Sequence, residues 1–169
     1  MVNLSDLALQ NPWWADPSAI ESDELVLTAT SKDPSVLPTI DASNNVIIFG
    51  PRQVGKTTSM KLTIREFIAG GAVDPRNVCY FSCDFLGSKS QVIDVFRTFT
   101  EVTRHLPGCK YVFLDEVTQV RNWETAVKFV LDSGMARGVV VVVTGSTAAF
   151  LRRGVERMPA VSYTHLRAH

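Results

Sequence analysis

Val46-Ile47-Ile48-Phe49-Gly50-Pro51-Arg52-Gln53-Val54-Gly55-Lys56-Thr57-Thr58 decides how the rest of this chain is read. Four apolar residues run without a polar break into Gly50, the pattern of a strand buried on both faces. Residues 50–57 then fit G-x-x-x-x-G-K-[ST] at every fixed position. The glycines let the backbone curl until successive N–H groups point into one concavity, a nest for phosphate oxygens. A helix expected from Lys56 onward aims the positive end of its dipole at the same point. Lys56 is placed to reach β- and γ-phosphates, and the Thr57 hydroxyl to ligate Mg2+. Thr58 lies one step further along, within reach of an α-phosphate. Gly50, Pro51, Arg52, Gln53, Val54, Gly55, Lys56, Thr57 and Thr58 are therefore the candidate nucleotide-binding residues. With glycine at about 7% of residues, roughly one chain of this length in two hundred would carry the four fixed positions by accident. A buried strand before the loop and a helix after it make accident a poor account.

Regular alternation continues downstream. Residues 56–69 place Met60, Ile64, Phe67 and Ile68 at helical spacing, and Gly70-Gly71 is a fitting stop. Residues 78–83 read as a second strand. Residues 90–105 read as a helix with Val92, Val95, Phe96, Phe99 and Val102 on one face and His105 as a dipole partner at its end. Residues 111–114 form a third strand. Asn122 is expected to cap a helix that turns Trp123, Val127, Val130 and Leu131 inward and closes near Gly134. Residues 139–144, opening with five consecutive valines, are a fourth strand. Continuous apolar strands alternating with helices predict an α/β three-layer sandwich around a mostly parallel sheet.

The third strand ends in Asp115-Glu116. After a phosphate loop, an Asp at such a strand end serves Mg2+, and a Glu directly after it is placed to polarise an attacking water. Thr144-Gly145-Ser146 closes the fourth strand, and Thr144 and Ser146 are candidates for sensing the γ-phosphate. The candidate catalytic set is Glu116, Lys56, Thr144 and Ser146, the metal set Thr57 and Asp115, and the cofactors ATP and Mg2+. Asp84-Phe85-Leu86-Gly87 fits D-x-x-G, but no N-K-x-D guanine reader exists in the chain, which argues against GTP.

On residues 50–58 (GPRQVGKTT), 113–117 (FLDEV), 144–146 (TGS) and the opening Asn11-Pro12-Trp13-Trp14, the chain resembles prokaryotic AAA-type ATPases that carry an additional, poorly characterised C-terminal domain. The resemblance implies a P-loop NTPase fold whose fourth strand lies between the first strand and the acidic-pair strand. It also implies Mg-dependent ATP hydrolysis coupled to a conformational switch, in a homo-oligomer or with a protein partner. Such proteins continue well beyond this length, and they place Gly-Arg after a Leu- or Met-Pro pair. Here Met158-Pro159 precedes Ala160, so that pattern assigns no arginine finger. Arg152, Arg153 and Arg157 leave a non-hydrolysing adaptor or a nucleic-acid-binding module as the alternative reading.

Residues 1–45 hold seven acids against Lys32 alone and four prolines, and read as an arm packing on the core. Two adjacent indoles, Trp13 and Trp14, argue that this arm docks, onto the core or beside the adenine site. A short helix is expected at Asp16-Pro17. Residues 46–160 are expected to form the P-loop ATPase domain, incomplete at its C-terminal end. Val161-Ser162-Tyr163-Thr164-His165-Leu166-Arg167-Ala168-His169 resembles a translated sequencing adapter and is expected to be a non-native tail. The formal net charge of +0 gives no global reason to bind nucleic acid or an anionic membrane. Cys79 and Cys83 read as small buried hydrophobes, and three cysteines make no disulfide framework. Without a leader or an apolar run long enough to span a bilayer, the expected location is the cytoplasm.

Overall fold

The apolar strands of this protein alternate their side chains between two separate cores, and that alternation builds the layers. In a computed structural model, which describes residues 1–32, 38–152 and 161–167, the strands are β1 (Val46–Gly50), β2 (Val78–Ser82), β3 (Lys110–Asp115), β4 (Val139–Ser146) and β5 (Ser162–His165). Val46 and Ile48 point to one face and Ile47 to the other; Phe113 and Val142 likewise oppose Val112, Leu114, Val141 and Val143. Both faces are covered, so the strands need no polar alternation. The sheet is parallel throughout, in the order β2-β3-β4-β1-β5. β4 thus lies between β1 and the acidic-pair strand β3, as the resemblance implied. Residues 162–165 pair with β1, register Val46 to Ser162.

Helices fill the outer layers. Helix α3 (Lys56–Gly70) buries Met60 and Ile64 on one face of the sheet, beside α2 (Glu24–Lys32). On the other face lie α1 (Leu4–Gln10), α4 (Lys89–Val102) and α5 (Trp123–Asp132), burying Leu7, Phe96, Phe99, Trp123 and Val130. A short α6 (Thr147–Arg152) follows β4. Among the described residues no helix is long and apolar enough to cross a membrane.

Several boundaries differ from expectation. Helix α4 ends at Val102 rather than at residue 105: Thr103 leaves the helical region at φ −100° and ψ 2°, and the Arg104 and Leu106 N–H groups donate three residues back, to Glu101 and Thr103, in tighter turns. His105 is exposed beyond that end. Asn122 precedes α5, yet its side chain makes no capping bond; it takes the left-handed φ of 58° that asparagine tolerates well. β2 stops at Ser82, and Cys83 begins a 3-10 turn. Arg153, Arg157 and residues 158–160 lie outside the described residues, and Arg152 closes α6.

The arm is more ordered than its prolines suggest. Asn3 and Asp6 form a reciprocal capping box on α1, and Asp16 caps the 3-10 turn Pro17–Ser22 through Ser18. Four side chains of residues 10–14 then cover the outer edge of β2. Gln10 Oε1 accepts from the Ser82 N–H at 2.7 Å, and the Asn11 amide both accepts from Tyr80 N–H at 2.6 Å and donates to Tyr80 C=O at 2.9 Å. The two indole N–H groups share the Val78 carbonyl, at 2.9 and 2.8 Å. Side chains therefore do here what a neighbouring strand would do. Val78 begins β2, whereas the phosphate loop follows the C-terminal end of the parallel β1, so the indole N–H groups bond at the opposite end of the sheet from the loop. Two arm acids also reach α3, Asp23 to Lys61 at 3.0 Å and Glu21 to Arg65 at 2.8 Å.

Candidate functional site

β1 delivers the chain to Gly50, and a loop of five residues turns it into α3. A Cβ on Gly50 would stand 2.6 Å from the Leu166 carbonyl oxygen, so only glycine lets the chain after β5 pass this close. Gly55 meets no neighbour but adopts φ 93°, and Gln53 adopts φ 61°; these left-handed residues produce the curl that the motif requires. Pro51, Arg52 and Gln53 are exposed, while Val54, Gly55, Thr57 and Thr58 are half-buried. Lys56 is only 3% exposed, with its ammonium donating to the Gly50 and Pro51 carbonyls at 3.1 and 2.8 Å.

Across from the loop, the sheet presents the acidic pair. Asp115 ends β3 and is buried among three hydroxyls: Thr57 Oγ1 (2.7 Å) and Tyr80 Oη (2.8 Å) donate to its Oδ2, and Thr144 Oγ1 (2.6 Å) donates to its Oδ1. Burial, with the Asp115 carboxylate beside it, holds the Tyr80 phenol protonated well above its ordinary range, as a donor should be. Thr144 is fully buried, and its hydroxyl also accepts the Glu116 N–H at 3.0 Å. Glu116 takes φ 52°, and its Oε1 lies 3.4 Å from Lys56 Nζ while Oε2 is buried with no hydrogen-bond partner among the described residues.

Lys56, Thr57, Asp115, Glu116 and Thr144 thus form one connected cluster at the C-terminal edge of the sheet. Thr144 meets the acidic pair directly. Ser146 stands apart from that cluster: its N–H donates to Thr118 Oγ1 at 3.1 Å and its hydroxyl accepts from Ala149 N–H at 3.3 Å. It borders a cleft of about 600 Å³ with Pro51, Arg52, Thr118, Gln119 and Thr147. Two contributors escaped the sequence reading. Tyr80 carried one signal, a polar tip inside an otherwise apolar strand. Thr118 carried none; it packs so closely on Gly145 that a Cβ there would overlap its Cγ2.

This geometry can be set beside known proteins. A family model described as an AAA domain matches residues 42–168. The chain belongs to the AAA domain family. The AAA domain is of the nucleotide-binding P-loop type, and the loop and acidic pair lie inside the matched span. Among curated protein sequences nothing matches the chain. Among solved structures, the Orc1 protein of Aeropyrum pernix in complex with DNA is 14% identical, with a TM-score of 0.55 over 95% of this chain and 49% of that one. PCH-2 of C. elegans is 13% identical, with a TM-score of 0.46 over 96% of this chain and 46% of that one. The AAA domain therefore spans about half the length of either structure, and the likeness to Orc1 is one of fold.

Proposed function

We propose that this AAA domain binds ATP with Mg2+ on residues 50–57 and hydrolyses it, the cycle being coupled to a conformational switch. The observation that carries the reading is the direct apposition of the loop and the acidic pair, Lys56 to Glu116 at 3.4 Å and Thr57 to Asp115 at 2.7 Å. A structural ion pair would account for one of these contacts. Both together, on a loop curled by Gln53 and Gly55, suit a phosphate chain and its cation.

The residues fit the cofactors. Thr57 and Asp115 offer the hard oxygen donors that Mg2+ takes, completed by phosphate and water oxygens. When bound, Mg2+ supplies charge neutralisation on the β- and γ-phosphates. Lys56 adds a second cation to the same oxygens, with its ammonium exchanging carbonyl partners for phosphate. Thr144 fixes Glu116 through the backbone N–H, so the carboxylate direction is set by the sheet. Glu116 Oε2, buried with no partner among the described residues, is the acceptor for a water proton. That water attacks the γ-phosphorus, the bridging P–O bond to the β-phosphate breaks, and the proton passes to Glu116. The switch follows from the same contacts: Lys56 and Thr57 change partners when phosphate arrives, and Glu116 and Asp115, both tied to Thr144 of β4, sit on the other side of those bonds.

Calorimetric titration of Mg-ATP into the full chain tests binding, beside Lys56→Ala. Saturable binding that vanishes in the variant is expected. Phosphate release is then followed with Glu116→Gln, which should keep ATP binding and lower turnover by about 10³-fold, within the range for a lost general base. Tight ATP binding with no wild-type turnover would replace hydrolysis by a nucleotide-dependent adaptor, and absent binding by folded protein would remove the proposal.

A further inference from the structure

We propose that Tyr80 is a positioning residue for the Asp115 carboxylate, held in place by the N-terminal arm, and that it thereby sets how strongly Mg2+ tightens nucleotide binding. The inference rests on the reading of Asp115 as the Mg2+ residue. Three hydroxyls donate to that carboxylate. Tyr80 from β2 bonds one oxygen and Thr144 from β4 bonds the other, so the two strands flanking β3 stop the group from rotating. Thr57 is the third donor, but it stands at the start of α3 within the phosphate-loop motif, and its oxygen would go to the cation when Mg2+ is bound. Tyr80 and Thr144 are the donors that stay.

Tyr80 is itself fixed from two sides, along its backbone and across its ring. Its backbone N–H and C=O are both taken by the Asn11 side chain, at 2.6 and 2.9 Å. Lys61 Nζ stands 4.2 Å from the centre of its ring, and Asp23 holds that ammonium at 3.0 Å. Asn11 and Asp23 both belong to the arm, which lies outside the loop and acidic pair. Phenylalanine would fill the same space, and a buried hydroxyl is unfavourable unless bonded. The hydroxyl therefore answers to Asp115 and not to packing. Groups that hold a metal ligand from behind typically change metal affinity by about 10- to 100-fold when removed.

The test measures the dissociation constant of a non-hydrolysable ATP analogue by calorimetry on the full chain, once in EDTA and once in saturating Mg2+. The ratio of the two constants is the tightening due to the cation. Tyr80→Phe is expected to leave the EDTA value unchanged and to reduce the ratio by about tenfold. Lys61→Met, which frees the ring, should reduce it by a smaller factor, and it carries the test should Tyr80→Phe fail to fold. A wild-type ratio in the folded variant overturns the inference, even if its melting temperature falls, because Tyr80 would then be packing alone. Asp115→Asn separates the two readings. If it lowers the ratio and Tyr80→Phe does not, only the Tyr80 inference fails; if it leaves the ratio unchanged, both fail.

Discussion

Replacing Asn11 by alanine should be among the most damaging single changes outside the loop. The residue is 1% exposed, and besides a long contact to Cys79 Sγ at 4.0 Å its amide makes three short bonds: to Leu7 C=O at 2.7 Å, to Tyr80 C=O at 2.9 Å, and from Tyr80 N–H at 2.6 Å. Alanine leaves both Tyr80 backbone groups without partners beneath the arm, whereas the Leu7 carbonyl, near a helix end, can turn to water. Each buried group left unpaired costs about 1–3 kcal/mol. A loss of about 3 kcal/mol is therefore expected, a large part of the 5–15 kcal/mol that holds a typical domain. For a chain of this size that lowers Tm by about 6–12 °C. Urea unfolding gives the free energy directly, with the midpoint shifting at constant slope. Gln10→Ala, which removes one bond from a half-buried residue, should cost about 1 kcal/mol. The Asn11 variant should also self-associate at high concentration, since β2 is an edge strand whose cover is then broken. An Asn11→Ala protein within about 0.5 kcal/mol of wild type would refute the reasoning.

Three further outcomes are expected. Gly145→Ala should lose about 2 kcal/mol, because a Cβ there overlaps Thr118 Cγ2 in a packed site, and Thr118→Ser in the same chain should restore much of it; additive effects in urea unfolding would remove the contact as the cause. In native protein a thiol reagent should label Cys109 alone, since Cys79 and Cys83 are buried and burial pushes both thiols far above their ordinary values. Rapid labelling of a second cysteine would contradict that. Stability should also fall at alkaline pH. Cys79, Cys83 and Tyr80 all have raised values in the folded state, by burial first, so their contribution is intact below the unfolded values of 9.0 and 10.0 and is lost as pH rises past them. Each group adds a slope on the order of 1 kcal/mol per pH unit once it ionises in the unfolded chain; a urea midpoint flat to pH 11 would rule this out.

The loop and the acidic pair were legible because their chemistry fixes both residue type and spacing. Lys56, Thr57, Asp115 and Glu116 meet in space as the motifs imply. The strands were legible because all four apolar runs are buried on both faces. Less could be read where one residue type serves two purposes. Asn122 suggests a side-chain cap, yet the chain uses its tolerance of positive φ. Helix α1 buries only Leu7 while Leu4 and Leu9 stay exposed, so its seven residues carry no apolar period, and its capping box gave the only local signal. Trp13 and Trp14 announced a docked arm, but nothing in a single sequence says that their N–H groups complete a strand edge. Tyr80 was hidden for the same reason: its ring fits the strand pattern, and its partner lies 35 residues away.

The covered edge of β2 also sets an order of events. Residues 10–14 leave the ribosome well before β2, since the groups they bind lie 64 to 72 residues further along. The arm cannot find its place until β2 has been made and has settled against β3. Contacts at such separation close late, since the loop entropy must be met before they form. The arm is thus made before the strand it covers yet docks after it, and the sheet edge stays open to other chains until then.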